Sequence, residues 1–177
     1  ARTGAMQSQH PSSRPSHRPM LYATLKTLHL LSVIVWVGGM VFTQFFLRPA
    51  LGSLEGPQRL TLMQAVLARF FNAVLAAASL SVLTGLWMMR RVAGQTAQAG
   101  VTTHMPLEWL VMAALGTLMA LIFGYIRVVP YPRLVAALAA QDWPAGATAL
   151  ATIRRWVMVN LILGVATVAI TQMGVTG

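Results

Sequence analysis

One ionisable side chain, His29, lies inside the first long apolar segment, residues 21–47. A titratable group at membrane depth is costly and marks a functional site by default. A neutral histidine that hydrogen-bonds a neighbouring helix is the alternative. Gly38 and Gly39 lack side chains, so another helix or a flat ligand could approach the backbone there. Three residues follow His29 on one helical stripe: Val33, Trp36 and Met40.

Besides His29, the sequence offers one further histidine and two methionines as candidate metal ligands. His104 and Met105 precede the third apolar segment, and Met112 follows about two turns later, near the expected depth of His29. Neutral imidazole with thioether sulfur is a soft ligand set suited to Cu(I), and histidines across a helix bundle also hold haem iron. The candidate metal ligands are His29, His104, Met105 and Met112. The candidate haem-binding residues are His29, Trp36, Gly39 and His104.

Other chemistries are not supported by the residues present. The chain has no cysteine, which excludes a disulfide framework and thiolate metal sites. Its three carboxylates, Glu55, Glu108 and Asp142, are scattered and form no acid/base pair on one element. No serine elbow or glycine-rich phosphate loop is present.

The composition predicts an integral membrane protein. Hydrophobic residues make up 56% of the 177 residues and charged residues only 9%, against about 25% in soluble domains. Crossing a bilayer takes about 20 apolar residues, and four segments qualify. We expect spans at about 21–47, 70–89, 106–129 and 156–173. The predicted fold is an all-α, four-helix transmembrane bundle over residues 20–177.

The remaining segments have distinct compositions. Residues 133–142 predict a short amphipathic surface helix between spans three and four. Pro130 and Pro132 forbid simple continuation of span three. Residues 1–19, rich in Ser, Pro and Arg, predict a disordered tail, and the ARTGAM at its start resembles an expression-tag remnant.

The distribution of basic residues predicts an orientation. The chain carries a net charge of +10, but its sequence has no basic run with interleaved aromatic residues. We therefore expect the basic residues to interact with lipid headgroups rather than with nucleic acid. Counted from Met20, loops one and three hold most of the cations, which favours these loops in the cytoplasm of a bacterial inner membrane and the termini and loop two in the periplasm. These cations are Arg48, Arg59, Arg69, Arg127, Arg133, Arg154 and Arg155. Every histidine then lies on the side of the termini.

Small and polar residues within the spans predict the faces where helices meet. One stripe, in the last span, comprises Asn160, Gly164, Thr167 and Thr171. The other, in the second span, comprises Asn72, Ala76 and Ser79.

Much of the chain after Met20 resembles CopD-type membrane proteins, which are associated with copper resistance and uptake. The resemblance rests on LKTLHLLSVIVWVGGMVFTQFFLRPAL, LTGLW, IRVVPYPRLVAALAAQDWPAGATAL and IRRWVMVNLILG. It implies a copper-related membrane protein in a short, four-span form that needs a homodimer or a partner to make a path across the membrane. The first helix is also similar to that of HemJ-type haem proteins, and this implies a haem-ligand role for His29. That family relies on a lysine in a later helix, whereas Lys26 is the last lysine here.

Three functions remain open. The first is binding and transfer of Cu(I) in exchange with a periplasmic donor or acceptor. The second is a b-type haem protein that passes electrons, which would be the route to any enzymatic activity. The third is an accessory subunit without cofactor that contacts another membrane protein.

Overall fold

The computed structural model describes residues 17–98 and 107–175, and within these ranges every regular element is helical. The long helices are α1 (His17–Val41), α3 (Gly56–Gln98), α4 (Leu107–Val128) and α6 (Trp143–Val175). Shorter elements are a π-helix (Phe42–Leu47), α2 (Arg48–Ala50), a 3-10 turn (Leu51–Ser53) and α5 (Pro130–Ala139). Four stretches are long and apolar enough to cross a membrane: Met20–Ser53, Gly56–Gly94, Trp109–Ala139 and Trp143–Met173. The predicted all-α, four-span architecture is confirmed.

The first span widens into a π-helix before it ends. Pro49 has no N–H and its ring crowds the preceding turn, so a regular α-helix cannot continue through it. The Thr43 hydroxyl donates to the carbonyl of Gly39 at 3.0 Å. In the widened turn Thr43 and Gln44 are buried. The Gln44 Nε2 donates to the carbonyl oxygen of Arg154 at 2.9 Å, which ties α6 to the end of the first span.

Helix α3 packs along α1 on a face that differs from the predicted one. The predicted stripe of Asn72, Ala76 and Ser79 is exposed, so this prediction was wrong. The face that packs in the bundle carries Phe71, Val74, Ala77 and Ala78. Both faces of this helix are rich in apolar and small residues, and a bilayer removes the contrast that orients an amphipathic helix in water.

Pro130 and Asp142 determine where the helices begin in the connection from α4 to α6. Val129 breaks the helix, and Pro130 opens α5 at a first-turn position, where its missing N–H costs nothing. Helix α5 ends in a Schellman-type turn, with Gln141 at φ 56° and the Asp142 N–H bonded to the Ala137 carbonyl at 2.9 Å. The predicted short helix is thus confirmed, three residues earlier than expected. Asp142, the last residue of the predicted range, is not part of α5 but caps α6, since its Oδ1 accepts from the Ala145 N–H at 3.0 Å.

The middle of the bundle is filled by an aromatic cluster. Phe71 meets Tyr131 and Phe123 edge-on, with ring centroids 5.1 and 5.8 Å apart. Trp36 meets Phe123 at 6.3 Å. Edge-to-face pairs are favourable geometries that add to the burial of these large side chains. The aromatic cluster of Trp36, Phe71, Phe123 and Tyr131 therefore joins α1, α3, α4 and α5.

The adjacent glycines of α1 give a matched pair for testing this packing. A Cβ on Gly39 would overlap the Phe70 ring, whereas a Cβ on Gly38 would meet nothing within 4 Å. We expect Gly39→Ala to destabilise the protein by about 1–3 kcal/mol through overpacking. Gly38→Ala should be neutral or stabilising by up to about 1 kcal/mol because alanine favours helix. Thermal unfolding in detergent measures both, and equal midpoints for the two variants would contradict the close packing at Gly39.

Candidate functional site

A cavity of about 230 Å³ opens among the four long helices. It is lined by the segments that the topology predicts on one side of the membrane, namely parts of α1, the end of α3, the first half of α4 and the end of α6. We call it the histidine cavity. The residues that carry the argument below are His29, Trp36, Ser81, Met89, Met112 and Met119.

The half-buried His29 is held by the backbone and one hydroxyl of α3. Its Nδ1 lies 3.0 Å from the carbonyl oxygen of Ser81 and 3.1 Å from Thr84 Oγ1. A carbonyl only accepts, and the Thr84 hydroxyl already donates to the Leu80 carbonyl at 2.6 Å. Nδ1 must therefore carry the proton and donate, which leaves the lone pair of the neutral ring on Nε2. This nitrogen is the one with which imidazole could bind a metal.

Three methionines line the same cavity: Met89, Met112 and Met119. The sequence analysis chose Met112 and overlooked Met119. The spacing offered a signal, since residues seven apart lie on the same face of a helix. Met119 is 5% exposed, and its side chain packs over Gly164, where an added Cβ would lie 3.1 Å from the Met119 Cε.

The other predicted site residues are distributed as follows. Trp36 lines the cavity and is also part of the aromatic cluster. Gly39 does not line the cavity and lies against the Phe70 ring. His104 and Met105 lie outside the described residues. Of the predicted stripe on the last span, Thr167 and Thr171 line the cavity with Gly164, and Asn160 is buried.

Two features of α3 at this site were missed by the sequence analysis. The Ser81 carbonyl and the Thr84 hydroxyl anchor His29. Gly85 lies beside the ring, since a Cβ added to it would be 3.6 Å from the His29 Cε1. The Ser81 Oγ is buried and has no hydrogen-bond partner among the described residues. This hydroxyl can still donate to a ligand or a water in the cavity that it lines.

The donor types limit what the site can hold. Within residues 17–98 and 107–175, no group of three His, Cys, Asp or Glu side chains is arranged to bind a metal. The soft donors among the residues that line the cavity are the imidazole of His29 and the methionines, and other lining residues such as Ser81, Thr171 and Gln172 carry hydroxyl or amide groups. No carboxylate of the described residues lines the cavity, and a set of imidazole and thioether donors favours a soft ion over Mg²⁺, Ca²⁺ or a structural Zn²⁺.

The fold and the cavity define a multi-pass helical membrane protein with a histidine and methionines in an apolar chamber. Residues 64–173 match the family model described as Copper resistance protein D. The match covers more than half of the chain, and the chain therefore belongs to the CopD family. No curated protein and no solved structure matches. The first helix, with His29, precedes the matched segment, and its likeness to HemJ-type proteins rests on the sequence alone.

The hydrogen bonds of His29 predict its tautomer. We expect the neutral ring to carry its proton on Nδ1 because both partners of that nitrogen can only accept. Nitrogen-15 NMR of the histidine-labelled protein at a pH where the ring is neutral measures this, with His29→Gln assigning the signal. A proton found on Nε2 would contradict the arrangement.

Proposed function

We propose that this CopD-family protein binds Cu(I) in the histidine cavity and passes it on as cargo. The observation that carries the proposal is the lone pair of His29 Nε2 in a cavity that is also lined by three methionines. Membership of the CopD family supports a copper-related role.

Cu(I) suits this chamber for two reasons. It is a soft ion, and its affinity for thioether and neutral imidazole exceeds that of hard divalent cations for the same donors. It also carries a single positive charge, which makes it cheaper to bring into an apolar cavity than a divalent ion. With neutral ligands the bound site keeps a charge of +1, so the ion is held without a carboxylate and can be released to a stronger ligand set.

The hydrogen bonds around His29 support a ligand role. A metal-binding histidine typically donates its other N–H to a carbonyl or carboxylate, which fixes the ring and raises its basicity. The Ser81 carbonyl and the Thr84 hydroxyl occupy that place for Nδ1. The ring is thus oriented before any ion arrives, which lowers the entropy cost of binding.

We propose that the protein lies in the bacterial inner membrane with the histidine cavity toward the periplasm. The arginines of loops one and three support this, since the positive-inside rule favours them in the cytoplasm. Copper would then be exchanged with a periplasmic donor or acceptor. The aromatic cluster fills the bundle below the cavity, so complete passage across the membrane would need a homodimer or a membrane partner.

Ligand substitutions test the copper site. We expect one Cu(I) per chain and a loss of affinity of more than about 100-fold in His29→Ala, since outer-shell changes alone cost 10–100-fold. Met112→Leu and Met119→Leu should each weaken binding because leucine keeps the volume and removes the sulfur. Competition with a chromogenic Cu(I) chelator under reducing conditions measures this on the purified protein.

Met63→Leu is the matched control for these methionine substitutions. Met63 is 6% exposed but lies at the opposite end of the bundle, so its substitution should leave Cu(I) affinity unchanged. Equal affinities in wild type, His29→Ala and Met63→Leu would reject the proposed site.

A b-type haem is the second candidate, and the walls of the cavity favour it. Gly116 lines the chamber, and an added Cβ there would meet nothing within 4 Å, which leaves room for a flat ring near the backbone. His29 and one of the methionines would hold the haem iron, and a haem held by these two residue types, as in some cytochromes, would supply electron transfer. A Soret band in the purified protein that disappears in His29→Ala would establish haem and overturn the copper proposal.

The orientation has its own test. The chain has no cysteine, so a cysteine introduced at Thr102, a loop-two position outside the described residues, is the sole labelling target. We expect a membrane-impermeant maleimide to label Thr102→Cys from the periplasmic side of intact cells and Ser53→Cys only after lysis. The reverse pattern would place the histidine cavity toward the cytoplasm.

A further inference from the structure

A second and larger cavity of about 690 Å³ lies at the end of the bundle opposite the histidine cavity. It is bounded by the end of the first span, the first turns of α3 and the first three turns of α6, and it is open on one side. We call it the arginine cavity. Its polar lining residues are Gln44, Arg48, Arg59 and Arg154.

The three guanidinium groups have no counter-charge in this cavity. No carboxylate is among its lining residues, and within the described chain none of the three arginines forms an ion pair. The charges of Arg48 and Arg59 repel that of Arg154. Three like charges around one concave space are unfavourable unless something of opposite charge joins them.

Arg154 is the most constrained of the three. Its Nε is buried and has no hydrogen-bond partner among the described residues, although this N–H is an obligatory donor. Its backbone carbonyl accepts from Gln44, which fixes the helix turn that carries it. A buried guanidinium N–H without an acceptor costs free energy that a bound oxyanion would recover.

The nearby carboxylates do not neutralise the cavity. Asp142 is engaged as the cap of α6 through the Ala145 N–H, and Glu55 precedes the first residue of α3. Neither lines the cavity. By contrast, Gly56 and Trp143, the first residues of two long helices, both line it. The N-termini of α3 and α6 therefore border the cavity, and the Asp142 cap offsets the positive end of the α6 dipole.

We propose that the arginine cavity binds a phosphate group through Arg48, Arg59 and Arg154. The planar guanidinium forks match phosphate oxygens in pairs, and three of them can surround the tetrahedral anion. This proposal is independent of copper binding at the other end of the bundle. The phosphate could belong to an anionic phospholipid headgroup, since Trp143 beside the cavity is typical of the membrane interface, or to a soluble phosphate compound.

Ligand-dependent stability tests the proposal on the full chain in neutral detergent. We expect phosphatidylglycerol to raise the thermal midpoint of the wild-type protein by roughly 5 °C at a hundredfold excess over Kd. Arg154→Gln should lose most of this shift. Arg155→Gln is the matched control, because Arg155 is the next residue of the same helix, is exposed and does not line the cavity. It should keep the full shift.

Two further measurements separate the sources of the phosphate. Native mass spectrometry should show one phosphatidylglycerol retained by the wild type and by Arg155→Gln but not by Arg154→Gln, with phosphatidylcholine as the neutral-headgroup comparison. An equal, Arg154-dependent shift with millimolar inorganic phosphate, at ionic strength matched by sodium chloride, would identify a soluble phosphate compound instead.

Arg59→Gln guards against a folding defect in Arg154→Gln. Arg59 is exposed at the start of α3, so its substitution should leave the fold intact while reducing the phosphate-dependent shift. Shifts that are equal in the wild type, Arg154→Gln, Arg59→Gln and Arg155→Gln, for both lipid and inorganic phosphate, would overturn the proposal.

Discussion

Inside a bilayer every polar group must find its partner within the protein, and this constraint organises the bundle. The backbone of each span satisfies this constraint as a helix. Buried threonines such as Thr43 and Thr84 satisfy it by donating their hydroxyl protons to backbone carbonyls of the preceding turn. His29 of α1 satisfies it by hydrogen bonds from Nδ1 to α3, which fix the two helices against each other and leave the lone pair on Nε2. Among the described residues three buried side-chain atoms have no partner, Ser81 Oγ, Arg154 Nε and Asn160 Oδ1. Two of these residues line the two cavities, which is where an external ligand could complete their hydrogen bonds.

The aromatic cluster divides the bundle into two chemically different ends. Trp36 belongs to both the cluster and the wall of the histidine cavity, so that chamber is closed at mid-depth by large rigid side chains. Soft neutral donors lie on one side of this barrier, and unpaired guanidinium groups on the other. A cation entering from the histidine end would meet neutral ligands first and positive charge later, which favours retention and exchange at the first end over simple passage through one chain.

Sequence reasoning succeeded where the bilayer imposes a length or proline imposes a break. Four apolar segments and the break in span three before Pro130 were predictable for these reasons. It failed where the rotation of a helix about its axis decides the outcome, because lipid and core are both apolar and leave little pattern to read. The packing face of α3 was therefore missed, and so were Met119 and the convergence of Arg48, Arg59 and Arg154. His29 was predictable because one polar residue in an apolar span must be explained, whereas its anchors, Ser81 and Thr84, lie 52 and 55 residues away along the chain.

Three of the same spans build both cavities, and this bears on how the two ends could communicate. The first span reaches from His29 to Arg48, α3 from Arg59 to Met89, and α6 from Arg154 to its last turns; α4 lines only the histidine cavity. A ligand at either end affects the other only if it favours one arrangement of these shared helices. The π-helix is the element best suited to such an effect, because its widened turn carries Gln44, whose bond to the Arg154 carbonyl links the first span to α6. Rotation of α1 about its axis would move His29 and would also strain that bond.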